Sequence, residues 1–385
     1  MEGCIFMDTI IYSFFSGAGF LDLGFERAGF NIKLVNEYNS AFLNVYKYAR
    51  EHMGIGAPQY GYFNCDINDL LVGKGNQQLH SFNKHDKANN ILGFIGGPPC
   101  PDFSIAGKNK GFSGENGKLT TSYKKIILKE LPDFFVFENV KGLWSTKKHR
   151  EEYEKLKNSF KRKGYLLTDK LVNSLEYGVA QDRERVFLFG IHKSICKSVP
   201  NEIRAALNEE FNWGSTGQYS INSIKLMPWP KQTYYKEDET LECPDNILSE
   251  LTIEYWFSKN KVYFHPNAND YFVPRKGKEK METINEGDVS RKSFKRLHRW
   301  RYSPTVAYGN NEVHLHPYKS RRLSVAEALA IQSLPPEFIV DPELSLTDKF
   351  KTIGNGVPYV MSYAIAMCIK RFLLKYVDEN KIKDR

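Results

Sequence analysis

Ile10-Ile11-Tyr12-Ser13-Phe14-Phe15-Ser16-Gly17-Ala18-Gly19-Phe20 is a short apolar run that breaks on two glycines and passes straight into a helical pattern. The apolar run has the length and the aromatic and β-branched content of a buried strand. Phe20 to Arg27 reads as a helix, with Ala28-Gly29 as its stop. The same alternation recurs downstream. Asn31 to Val35, Ile91 to Ile95, Asp133 to Phe137 and Arg185 to Gly190 read as strands, and Ser122 to Glu130 and Lys147 to Lys163 as helices. Strands alternating with helices predict an α/β domain with a mostly parallel sheet and helices on both faces.

From about Ile191 to Tyr302 the alternation stops, and four of the five tryptophans and the basic run Lys295-Arg296-Leu297-His298-Arg299 fall there. A chain of 385 residues also exceeds what one core usually organises. The expected division is therefore 1–190 with 303–385 as one domain and 191–302 as a second, irregular one. Near the end, Ser324 and Glu327 have the spacing of a capping box, and Pro358 suits the start of a last helix.

The net charge of +9 favours a polyanionic partner, because Lys and Arg that neutralise phosphates release counterions. The six cysteines form no C-x-x-C pair, so neither a zinc site nor a disulfide framework is expected, and a reducing cytoplasm fits. No secretory signal is evident, and no run approaches the roughly 18 apolar residues of a membrane helix.

Candidate site residues stand at the strand ends. Gly17 and Gly19 permit a ligand close to the backbone at a helix N-terminus, but the spacing is not G-x-G-x-x-G, which disfavours a dinucleotide. Glu37, just past the second strand, is placed to accept from ribose hydroxyls. Asp66 is placed to accept from an adenine amino group, with Ile67 against the ring. Gly96-Gly97-Pro98-Pro99-Cys100 follows the strand Ile91 to Ile95 and presents Cys100 on a stiff loop, a frame that a core cysteine does not need. Glu138 ends the apolar strand Asp133 to Phe137, where partial desolvation should raise its pKa and favour the neutral acid.

Taken together and in order, Phe15-x-Gly17-x-Gly19, Pro99-Cys100 with Phe103-Ser104, Glu138-Asn139-Val140, Gln181-x-Arg183-x-Arg185, Arg321-Arg322-Leu323-Ser324 with Glu327 and Gln332, and Gly354-Asn355-Gly356-Val357-Pro358 resemble the motifs of the cytosine-5 DNA methyltransferase family. The resemblance spans about Phe15 to Ala364. It departs at Pro101, where the family usually has Gln; the fixed φ and missing N–H of proline should stiffen the chain just after the cysteine.

The resemblance implies a Rossmann-like, S-adenosylmethionine-dependent methyltransferase sheet, with 191–302 as a target-recognition domain. It makes Cys100 the nucleophile that adds to carbon 6 of cytosine, and Glu138 the acid at ring nitrogen 3. Arg183 and Arg185 are planar donors beside them, with Arg183 taken as nearer the chemistry. Contacts to S-adenosylmethionine are assigned to Phe15, Gly17, Gly19, Glu37, Asp66, Ile67, Pro99, Leu119, Asn355, Gly356 and Val357, and no metal is implied. The target base must leave the duplex to be reached. The glycine- and lysine-rich stretch Pro101 to Lys118 reads as a flap, with Ser104, Lys108, Lys110 and Gln181 expected at the DNA. By family habit the protein is a prokaryotic, cytoplasmic, nucleoid-associated monomer whose duplex DNA is protected from a separately acting restriction endonuclease. The rival readings are an RNA cytosine-5 methyltransferase and a silent DNA-binding protein. The absence of a Cys-Phe-Thr element in the recognition region speaks against the first, and intact Cys100 and Glu138 against the second.

Overall fold

The structure, a computed structural model, describes residues 8–99, 115–215, 219–274, 277–291, 293–306, 308 and 312–385. Its sheet is assembled from β1 (Thr9–Phe14), β2 (Asn31–Asn36), β3 (Tyr62–Phe63), β4 (Ile91–Gly96), β5 (Phe134–Val140), β6 (Tyr165–Asn173) and β8 (Glu184–His192), while β7 (Gln181–Asp182) lies outside it. The strand order is β3-β2-β1-β4-β5-β8-β6. β1 to β5 pair in parallel, and β8 runs antiparallel to both β5 and β6. The link from β6 to β8 is too short for a crossover, so it can join only antiparallel neighbours. Every residue of β1 and β4 is buried, as expected of parallel strands covered on both faces.

The strand order reverses between β1 and β4, so a crevice opens where their carboxyl ends diverge. Helices α1 (Phe20–Arg27), α2 (Ser40–His52), α3 (Gly73–Lys87), α4 (Glu115–Glu130), α5 (Lys141–Ser145), α6 (Lys147–Arg162) and α7 (Pro200–Glu209) cover the two faces. The chain does not leave the sheet at 191. Ile203, Ala206 and Leu207 of α7, with Phe211 and Trp213, pack into the same core as Phe134, Phe187 and Phe189.

Beyond Trp213 come three short helices, α8 (Ile221–Leu226), α9 (Ile253–Lys259) and α10 (Lys278–Glu282), and among the described residues no strand before β9 (Ser303–Pro304), which pairs with β7. The irregular reading of this stretch holds, and its apolar groups are divided: Ile224, Trp229 and Leu251 form a small cluster of their own with Leu175, and others join a larger core. Ile253, Trp256 and Phe257 of α9 join the cluster of α11 (Val325–Ile331) and α12 (Leu346–Asn355). The basic run turns inward. Arg296, 0% exposed, donates from Nε to Ile284 O (2.9 Å), from Nη2 to Met281 O (2.8 Å) and from Nη1 to Lys319 O (3.0 Å). Arg299 forks onto buried Glu286 with two bonds of 2.9 Å. Replacing Arg296 by Met strands those carbonyls, so the variant should lose about 3–4 kcal/mol. Urea midpoints would show it; a loss below about 1 kcal/mol would mean water replaces the guanidinium.

The last long helix, α13 (Tyr359–Tyr376), lies against α1 so closely that a Cβ on Gly24 would stand 2.5 Å from Ser362 Cβ and 2.6 Å from Tyr363 N. Gly24→Ala should therefore cost about 1–3 kcal/mol by overpacking, read from thermal or urea midpoints. Leu346–Tyr376 is, by length and composition alone, apolar enough to cross a membrane, contrary to the reading of short apolar runs. The turn after Asn355 splits it into α12 and α13, and over half of its apolar window is buried.

Candidate active site

The loop after β1 turns on three left-handed residues, Phe15 (φ 53°), Gly17 (φ 57°) and Gly19 (φ 74°). Only glycine takes that conformation without cost, so Phe15 holds its position under strain. A Cβ placed on Gly17 would meet nothing within 4 Å, so open space lies above the loop. Gly17 N donates to Glu37 Oε2 (2.9 Å) and Asn39 N to Glu37 Oε1 (2.7 Å). Burial raises the pKa of Glu37, and those backbone N–H groups pull it back down. A carboxylate oxygen accepting one bond still has lone-pair capacity for a hydroxyl.

The loop has a brace that pattern reading missed. Arg50 Nη2 donates to Gly19 O (2.7 Å), and its guanidinium sits 4.4 Å over the Tyr46 ring, with Glu26 as its ion partner. In sequence, Arg50 is one more basic residue in the last turn of α2, indistinguishable from a dipole partner.

Asp66 Oδ1 caps the turn after β3 by accepting from Asn68 N and Asn68 Nδ2, both at 2.8 Å. Ile67 is turned into the core and only 2% exposed, which leaves little of its side chain to meet an adenine ring as expected. Leu119 is half-buried on α4, Pro99 and Asn355 are exposed, and Val357 is buried. A Cβ on Gly356 would lie 2.1 Å from the ring of Phe20, the first residue of α1, so the late Asn355–Gly356–Val357 turn abuts the Phe15–Gly19 loop.

On the other side of the crevice, Glu138, two residues before the end of β5, is 9% exposed. The antiparallel register sets Val140 opposite Arg185, and Arg185 Nε reaches Glu138 Oε1 at 3.1 Å. Burial raises the pKa of Glu138 against the pull of Arg185 and Arg183. A Cβ on Gly97, three positions before Cys100, would meet Glu138 Oε2 at 2.6 Å, so the end of β4 and the acid share one spot.

The two arginines divide otherwise than expected. Arg185 pairs with the acid, whereas Arg183 is buried and donates Nη1 to Val306 O and Nη2 to Gly354 O, both at 3.0 Å. Nor is Gln181 placed to meet DNA. It is 0% exposed, its Oε1 accepts from Val306 N (3.2 Å) and its Nε2 donates to Gln332 Oε1 (3.1 Å). An amide with both ends satisfied in the interior has nothing to offer a phosphate. Cys100, Ser104, Lys108 and Lys110, with the expected flap up to Gly114, lie outside the described residues.

In comparison with known proteins, residues 10–371 match the family described as C-5 cytosine-specific DNA methylase. The chain is 52% identical to the Type II methyltransferase M.NmeDI of Neisseria meningitidis serogroup C, over 97% of this chain and 86% of that one. It is 34% identical to the Type II methyltransferase M.FnuDI of Fusobacterium nucleatum, over 97% and 96%. Among solved structures, a prophage-encoded protein of E. coli matches with a TM-score of 0.64 at 21% identity, over 96% of this chain and all of that one. A mutant of Spodoptera frugiperda DNMT2 matches with a TM-score of 0.56 at 14% identity, over 96% and 100%. At such identities the structural likeness speaks to the fold alone.

Proposed function

This chain belongs to the C-5 cytosine-specific DNA methylase family and is a DNA (cytosine-5)-methyltransferase of the Type II kind, and from that premise we propose how its own residues carry the reaction. The observation that supports the reading most is the part-buried Glu138–Arg185 pair beside Gly97, three residues ahead of the cysteine.

S-adenosylmethionine supplies the methyl group. The residues at the crevice fit it: the open space over Gly17, the carboxylate of Glu37 and the turn at Gly356 are together on one edge. Phe15, Gly17, Gly19, Glu37, Asp66, Pro99, Leu119 and Asn355–Gly356–Val357 would hold it, with Ile67 contributing through its backbone.

The cytosine is swung out of the duplex, because its ring is inaccessible in the stack. The Cys100 thiolate forms a bond to carbon 6. Glu138, whose neutral form burial favours, gives its proton to ring nitrogen 3 as the thiolate adds, so the carbon 5–carbon 6 pair shifts to carbon 4–carbon 5, the carbon 4–nitrogen 3 pair takes the proton, and carbon 5 becomes the nucleophilic carbon of an enamine. Arg185 holds the Glu138 carboxyl in place. Once carbon 5 has taken the methyl group that S-adenosylmethionine would supply, loss of the carbon 5 proton to water and return of the nitrogen 3 proton to Glu138 expel the Cys100 thiolate and restore the ring. Residues 219–302 are the target-recognition region, and Ser104, Lys108 and Lys110 face the DNA backbone. The setting is a bacterial cytoplasm, with a monomeric enzyme and a separately acting endonuclease of the same sequence specificity.

Transfer of radiolabelled methyl from S-adenosylmethionine to unmethylated duplex DNA, with bisulfite sequencing of the product, tests this. Label at cytosine 5 within one short recurring sequence is expected. Label on RNA alone, or on no nucleic acid, would overturn it.

A further inference from the structure

The last turn of α12 ends without a left-handed glycine. Gly356, its C-terminal cap, has φ −66° and ψ 153°, so the left-handed glycine motif is missing, although its N–H reaches back to Ile353 O at 3.3 Å. Side chains from distant segments take its place. Gln332, 0% exposed, donates Nε2 to Ile353 O at 2.7 Å and lies 3.4 Å from Gly356 O. Its own Oε1 accepts from Gln181 Nε2, and its backbone carbonyl accepts from Tyr359 N (3.0 Å), across the same turn. Arg183 adds the bond to Gly354 O. Gln181 and Arg183 also both bond to Val306, through its N–H and its carbonyl. Three buried polar side chains, two from β7 and its end and one from the end of α11, thus converge on Ile353 to Gly356.

The position of that turn matters because Gly356 is pressed on Phe20, next to the glycine loop. A shift of the turn by a fraction of an ångström moves one wall of the crevice relative to the other. We infer that Gln332, seated between Gln181 and Ile353 and backed by Arg183, is a positioning residue for the S-adenosylmethionine pocket: it fixes the Asn355–Val357 turn against the Phe15–Gly19 loop. The inference rests on the proposed reading of those two loops as the pocket. It also gives Gln181 and Arg183 a role on the cofactor side, while Arg185 makes the direct ion pair with the acid.

The test is Gln332→Leu in the full chain, which keeps the packing and removes both amide bonds. S-adenosylmethionine affinity by calorimetry, DNA affinity, kcat at saturating substrates and the melting temperature without ligand are measured together. The S-adenosylmethionine Kd and KM should rise about ten-fold, with kcat and DNA Kd within about two-fold of wild type. In Gln181→Leu/Gln332→Leu the loss should be no greater than in the worse single variant, because both act through one link. An unchanged S-adenosylmethionine Kd in the folded variant, additive losses, or equal weakening of DNA and S-adenosylmethionine binding would overturn the inference. Should Gln332→Leu not fold, Gln332→Met serves: it fills a similar volume with no side-chain N–H to donate to Ile353 O, and the same readouts apply. Wild-type protein that fails to bind S-adenosylmethionine would sink the pocket reading itself, whereas wild-type binding with unaltered variants sinks only the clamp.

Discussion

Cys100→Ser should lower the rate of methyl transfer at least about 10⁴-fold while leaving DNA affinity unchanged. A serine hydroxyl has no accessible anion near neutral pH, and removing a nucleophile typically costs most of the chemical acceleration. The side chain is small and contributes no phosphate charge, so binding through lysines and arginines should persist. Single-turnover label transfer and a gel-shift titration at fixed salt measure the two quantities. A variant that retains even one per cent of the wild-type rate would mean that no bond from residue 100 to the base is required.

Glu138→Gln should slow transfer by about 10²–10⁴-fold, the range for loss of a positioned general acid. The pH dependence distinguishes this from a mere packing defect. Burial holds the Glu138 carboxyl above its ordinary pKa, and the protonated form is the working one. Wild-type turnover should therefore fall as pH rises through that raised value, against the rise expected from Cys100 ionisation. The Gln variant cannot titrate there, so its falling limb should vanish. Stability has the same sign. A carboxyl whose folded pKa is raised contributes stability fully below the unfolded pKa and loses it as pH rises through the folded one. The melting temperature of Glu138→Gln relative to wild type should thus climb from acid to neutral pH. A wild-type falling limb that survives in the variant would assign the titration to another group.

Much of the site's outline could be read from pattern. An acid directly after Phe134 to Phe137 has to come near the carboxyl edge of the sheet, and Glu138 stands two residues before the end of β5; Gly97-Pro98-Pro99 after β4 has to sit at the crevice. What pattern does not carry is the direction of a side chain. The partnership of Glu138 with Arg185 depends on the antiparallel register of β5 and β8, and a one-residue slip would turn Arg185 to the other face. Gln181 and Arg183 have the residue types of phosphate ligands, yet both point inward, as do Arg296 and Arg299 in a run that reads as basic surface. Ile67 is a similar case. Its motif position is right for a ring contact, but the turn capped by Asp66 aims its side chain at Leu70 and Leu79. β6 escaped notice because its central residues are only half-buried, which weakens the apolar signal of an edge strand.

The closeness of α13 to α1 has a temporal consequence. Lys370 Nζ bonds to Ala28 O across 342 positions of sequence. A ribosome adding about 5–20 residues per second needs roughly 20–70 s to cover that interval. For most of it, from the synthesis of Glu138 onward, the first strand, the glycine loop and both reacting side chains have been made, but the surface of α1 stands bare and the Gly356 wall of the crevice is incomplete. Nascent chains and premature-stop products therefore carry the reactive cysteine without the means to use it, and modifying activity starts only when α13 has left the exit tunnel.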